Sequence, residues 1–156
     1  MAFAIEKDWI TAAGLRAVVI MILGRSKNHR CGYVAVKEGS PAFGKAYDEQ
    51  IDAITKEQVS NSQVGTKSPI LLFTATVNSD GEGEIRRSLD VLIDVHGGIT
   101  YASNAKGQDY PVTDAPESWW FGFDCAHYMD DDEGGRPLEY CVQHCESMAA
   151  QLAALK

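Results

Sequence analysis

Three consecutive stretches decide the fold: Leu15-Arg16-Ala17-Val18-Val19-Ile20-Met21-Ile22-Leu23, then Gly24-Arg25-Ser26-Lys27-Asn28, then His29-Arg30-Cys31-Gly32-Tyr33-Val34-Ala35-Val36. The first is short, β-branched and continuously apolar, the pattern of a strand buried on both faces. Turn-forming residues break it. The third resumes strand composition, so the pair predicts a central β-hairpin. In its second strand His29, Cys31 and Tyr33 share a face by the two-residue period of extended chain. A helix running from Asp8 through Leu23 is the rival reading of the first stretch.

Outward from the hairpin, Ser40-Pro41-Ala42-Phe43-Gly44 predicts a loop, because Pro and Gly interrupt regular structure. The spacing of Ile51 and Ile54 among charged residues predicts a short amphipathic helix over Tyr47 to Val59. Asn61 to Ser68 is polar, and Pro69 leads into a predicted strand, Ile70 to Val77. Asn78 to Gly83 is a turn-rich connector. In Leu89 to His96 the alternation predicts a strand with Leu89, Val91, Ile93 and Val95 on one face. Asp90, Leu92, Asp94 and His96 take the other. Gly97-Gly98 allows a tight turn or a close backbone approach before Ile99-Thr100-Tyr101-Ala102.

Trp119-Trp120-Phe121-Gly122-Phe123-Asp124-Cys125-Ala126-His127 arrives as a further strand, followed by an acidic loop from Asp130 to Gly135. Pro137 suits a helix start, and no Gly or Pro interrupts Leu138 to Leu155. Leu138, Cys141, Cys145, Met148, Leu152 and Leu155 recur at steps of three and four, one apolar stripe. The expectation is a single α+β domain over residues 1–156. Its sheet is mostly antiparallel or mixed, with the C-terminal amphipathic helix packed on it.

Bulk properties bound the function. The 156 residues suit one core, and 45% hydrophobic with 23% charged is an ordinary globular composition. A net charge of −8 and a pI near 4.9 argue against direct nucleic-acid binding, which needs clustered Lys and Arg. No apolar run reaches the roughly eighteen residues that span a bilayer, and no secretory signal is legible. The expected setting is the cytoplasm, with the four cysteines reduced.

Three chemistries are open to the polar residues. Cys125-x-His127 with Cys141, His144 and Cys145 offers zinc ligands, but Cys141 and Cys145 fall on the apolar stripe of a helix. Asp94 and His96 with Asp124 and His127 could hold a divalent ion and activate water, or could work as a metal-free acid–base set. No diagnostic hydrolase motif accompanies them. A nucleophilic cysteine, Cys31 beside His29 or Cys125 beside His127, lacks a hydrolase signature. Gly81-Glu82-Gly83 lacks the lysine of a phosphate loop, whereas backbone amides near Gly97 with Arg30 could receive an anion.

Several of these blocks also resemble a known family. His29 to Val34, Pro41 to Gly44 with Tyr47, Asp94-Val95-His96-Gly97-Gly98-Ile99-Thr100-Tyr101, and Trp119 to His127 are similar, in the same order, to a family of small phage and prophage proteins. Its members carry a Val-His-Gly-Gly block and a Trp-Trp-Phe-Gly-Phe-Asp-Cys-Ala-His block. After the latter they continue with a small residue and Gly-Asp, where this chain has Tyr128-Met129-Asp130. The resemblance implies a phage or prophage accessory protein in the host cytoplasm and carries no activity.

The leading expectation is binding without catalysis or cofactor, with counter-defence as one such role, toward a host protein or a small anionic, nucleotide-like ligand. The expected pocket gathers His29, Arg30, Tyr33, His96, Gly97, Trp119, Trp120, Asp124 and His127, where aromatic rings and cations suit a planar ligand. A divalent-metal hydrolase on Asp94, His96, Asp124 and His127 is the alternative.

Overall fold

The computed structural model describes residues 2–25, 27–55, 84–106, 111, 117–126 and 136–155. The expected strand over 70–77, the connector to 83 and the acidic loop over 130–135 lie outside the described residues. His127 does too.

Five strands form one sheet: β1 (Ala2–Ile10), β2 (Arg16–Leu23), β3 (His29–Lys37), β6 (Tyr101–Ser103) and β7 (Ser118–Asp124). Their spatial order is β1-β2-β3-β7-β6, and β4 (Gln50–Thr55) pairs separately with β5 (Glu84–Ser88). Every pairing is antiparallel. A helical turn, α1 (Leu89–Leu92), follows β5, and the C-terminal helix is α2 (Leu138–Ala153). The architecture is α+β, with the C-terminal helix packed on the sheet.

The predicted hairpin is the centre of the sheet, with Ala17 opposite Val34 and Ile22 opposite His29. β2 is continuously apolar because both of its faces are covered. Ala17 and Val19 join the core under α2, while Val18, Ile20 and Ile22 join a second cluster on the opposite face. Facing the sheet, α2 buries Cys141, Cys145, Met148 and Leu152, the predicted stripe. Burial of Met148 and of Leu152 contributes about 1.5–3 kcal/mol each.

Two glycines let large neighbours sit flat on the sheet. Gly32 lies opposite Phe123, and a Cβ there would be 2.5 Å from the Phe123 ring and 2.7 Å from Cys145 Sγ. Gly122 lies opposite Tyr33, and its Cβ would be 2.5 Å from that ring. One glycine serves each face.

Three elements depart from the sequence expectations. Residues 50–55 form a strand rather than part of a helix; its register breaks between Ile51 and Ile54, so their three-residue spacing does not mark a helical face. Leu89 to His96 is not a strand but the α1 turn followed by an extended segment. Leu89, Leu92 and Ile93, all buried, sit at the spacing of one helical turn, so the same apolar residues satisfied both periods. The third departure is β1, a mostly exposed nine-residue edge strand for which the sequence reading held no strand expectation. Its register shifts between Ile5 and Lys7, so Phe3 and Trp9 pack on opposite cores and no single alternation runs through it. Side chains hold it in place: Asp8 receives Arg16 through two bonds of 2.9 and 2.7 Å, and Glu6 receives Arg30. Glu146 on α2 accepts from the Trp9 indole at 2.8 Å and from the Ala12 amide at 3.0 Å.

Candidate functional site

On the face of the sheet away from α2, a pocket of about 350 Å³ opens over the ends of β2, β3 and β7. Its lining includes His29, Cys31, Tyr33, Thr100, Tyr101 and Asp124. Period two explains the first three: alternate residues of β3 rise on one side, as the sequence predicts. Asp124 enters through the register of β7, where it stands opposite Cys31. Tyr101 enters through β6, where it stands opposite Gly122.

The two tyrosines meet edge to face, with ring centroids 5.1 Å apart and planes at 83°. Only a glycine at 122 admits the Tyr33 ring in that position. The Asp124 carboxylate is oriented by its neighbours. One oxygen accepts from the Thr100 hydroxyl and the other from the Ala126 amide, both at 3.1 Å. Thr100 is itself fixed by its own amide, which donates to the Gly122 carbonyl at 2.8 Å. The pocket thus presents an aromatic wall, an imidazole and a positioned carboxylate, a combination suited to a planar ligand with N–H donors.

Burial, with help from the nearby Asp124 charge, pushes the Cys31 thiol up to about 12. It is a thiol at neutral pH and a poor nucleophile, although His29 shares its face as expected.

The other predicted residues lie elsewhere. Arg30, next to His29, emerges on the opposite side, bonding Glu6 and donating to the Arg136 carbonyl at 2.9 Å. Trp119 packs on Phe43 on the α2 side and donates its indole N–H to the Lys45 carbonyl at 2.9 Å. Trp120 is fully buried on the pocket side, its indole N–H without a hydrogen-bond partner among the described residues. The Arg16 guanidinium lies 5.8 Å from its ring centroid.

Asp94, His96 and Gly97 belong to a loop docked on α2. The Asp94 amide donates to Gln151 Oε1 at 2.7 Å, and Gln151 Nε2 returns a bond to the Asp94 carbonyl at 2.8 Å. Two residues on, the His96 amide donates to His144 Nδ1 at 3.1 Å. An extended chain points alternate amides the same way, and helix residues seven apart share a face. That match lets Gln151 and His144 grip the segment together. The His96 ring meets the Tyr140 hydroxyl at 2.8 Å, and the Arg136 guanidinium lies 5.0 Å from the Tyr140 ring centroid. Burial first, then the neighbouring His96 and Arg136, hold the His144 pKa below its ordinary value, against an opposing pull from Asp94. Gly97 and Gly98, at φ of 68° and 80°, make the turn that leads to Thr100.

The structure therefore brings His29, Tyr33 and Asp124 together, and sends Arg30, His96, Gly97 and Trp119 elsewhere. Among the described residues no three His, Cys, Asp or Glu converge to hold a metal ion. Cys125 and Cys141 meet in the core, whereas His144 stands with His96 and Tyr140. Thr100 and Tyr101 are pocket residues that the sequence reading did not single out. Gly122 was the available signal, since a glycine inside an aromatic strand marks a close approach by a neighbour. No family model, no curated protein and no solved structure matches this chain.

Proposed function

We propose that the protein binds, without transforming it, a small planar ligand of nucleobase type in the pocket formed by His29, Tyr33, Tyr101 and Asp124. The observation that carries this reading is the pocket itself: about 350 Å³, roofed by aromatic rings, with a carboxylate held at its edge. Asp124 accepts N–H donors of the base, the tyrosine pair supplies ring contacts, and His29 faces the ligand's polar or anionic remainder. The resemblance of the sequence blocks supports a phage or prophage accessory role in a host cell. Removal of a nucleotide-like signal by tight binding, a counter-defence activity, fits both observations.

The test is thermal shift against a panel of nucleobases, nucleosides and nucleotides, with mass spectrometry of the ligand released by denaturation. A stabilising, base-bearing ligand recovered unchanged, its effect lost in Asp124→Asn at unchanged circular dichroism, is the expected result. Silence across the panel, or a ligand recovered cleaved, overturns the reading.

A further inference from the structure

All four cysteines are reduced and buried, but two of them are in contact. Cys125, just past the end of β7, places its Sγ 3.6 Å from that of Cys141 in the first turn of α2. Both residues are fully buried, and they are sixteen positions apart in sequence. The other two thiols are placed differently. Cys145 packs over Gly32, and Cys31 lies on the opposite face of the sheet.

We infer that Cys125 and Cys141 form a redox dithiol, which a hydroperoxide converts to a disulfide tying the end of β7 to α2. The sulfur atoms must close from 3.6 Å to about 2.05 Å. Because both sulfurs are fully buried, the reaction requires a local opening of this contact that admits the peroxide. One sulfur then attacks the O–O bond as thiolate, forming a sulfenic acid and releasing water or an alcohol. The second thiol then attacks that sulfur, forming the S–S bond and expelling water. The two thiols lose two electrons and two protons, and the peroxide gains them.

The bridge has a structural consequence. Cys125 lies between Asp124 and Ala126, both in the pocket lining, and Arg136 at the foot of α2 receives Arg30 through its carbonyl. Oxidation ties that pocket edge to the helix and closes the intervening segment into a loop. A loop of this length removes enough freedom from the unfolded chain to raise Tm by about 5–10 °C.

The experiment is brief exposure of the whole protein to hydrogen peroxide, then denaturation, alkylation and intact mass measurement. Cleavage after glutamate places Cys125 in Ser118–Glu133 and Cys141 in Tyr140–Glu146, together with Cys145. The map is therefore read in Cys145→Ser as well as in the parent. The expected result is loss of two hydrogens, two thiols protected from alkylation, a cross-link between these peptides that survives Cys145→Ser, and a higher Tm. Four alkylatable thiols, a link that vanishes in Cys145→Ser, a link to Cys31, or oxygen addition without a cross-link would each overturn the inference. Because the parent protein carries the readout, a Cys125→Ser variant that fails to fold does not blunt the test.

Discussion

Replacing Gly32 with Ala tests how tightly α2 is seated on the sheet. The new methyl would stand 2.5 Å from two Phe123 ring atoms and 2.7 Å from Cys145 Sγ, whereas ordinary contact begins at 3.4 Å. Relief requires the ring, the helix or both to retreat by close to an ångström. Phe123 and Cys145 are buried at 1% and 0% exposure; the Phe123 ring borders the pocket, but the Cys145 sulfur lies between α2 and the sheet with no open space to enter. Overpacking of this kind costs about 1–3 kcal/mol, and this double contact belongs at the upper end. Replacing glycine lowers the entropy of the unfolded chain, which returns about 0.4–1 kcal/mol. The net expectation is about 2 kcal/mol of destabilisation, or about 4–8 °C in Tm for a chain of this size. Urea and thermal unfolding measure it directly. Gly122→Ala is the matched comparison, because its methyl meets the Tyr33 ring beside a pocket into which the ring can tilt. It should cost less stability than Gly32→Ala while filling ligand space. Gly32→Ala as stable as the parent, or less harmful than Gly122→Ala, would refute the packing described.

Two further outcomes follow from the contacts of α2. Gln151→Ala removes both bonds that clamp the Asp94 backbone and should cost about 1–2 kcal/mol. Hydrogen exchange at the Asp94 amide should quicken with it, and unchanged protection would mean the clamp is not closed in solution. The bond from Trp9, then that from Ala12, holds the Glu146 carboxyl below its ordinary value of 4.5. On acidification the unfolded chain therefore takes up this proton first. The stabilisation is complete above about pH 4.5 and is lost as the pH falls through the lower folded value. Tm should drop more steeply between about pH 5 and pH 3 in the parent than in Glu146→Gln, which keeps an acceptor for Trp9. Coincident slopes would show that the charge plays no part in holding β1.

The hairpin and the terminal helix were legible because burial wrote their periods plainly. β2 lies between two cores, so its whole length is apolar, and α2 lies on one, so its stripe recurs every three or four residues. β1 was not legible, since a register shift between Ile5 and Lys7 sends Phe3 and Trp9 to opposite faces and erases any single alternation, and Arg16, Arg30 and Glu146 help to hold the strand at the sheet margin. Leu89 to Leu92 failed for a different reason. Its apolar residues fit a helical turn and a strand alike, and the choice falls to packing that local sequence does not encode.

The limit on reading the site has a geometric cause. A strand sends neighbouring side chains to opposite faces, so His29 cannot share a pocket with Arg30, nor Trp119 with Trp120. Composition drew all four into one cluster, and the sheet separated them. The block from Asp94 to Tyr101 divides in the same way, at the Gly97-Gly98 turn. Its first half gives backbone amides to Gln151 and His144, while its second half gives Thr100 and Tyr101 to the pocket. The aromatic run is consequently core on both faces. Its contribution to the site is Asp124 at one end and, at Gly122, the missing side chain that makes room for Tyr33.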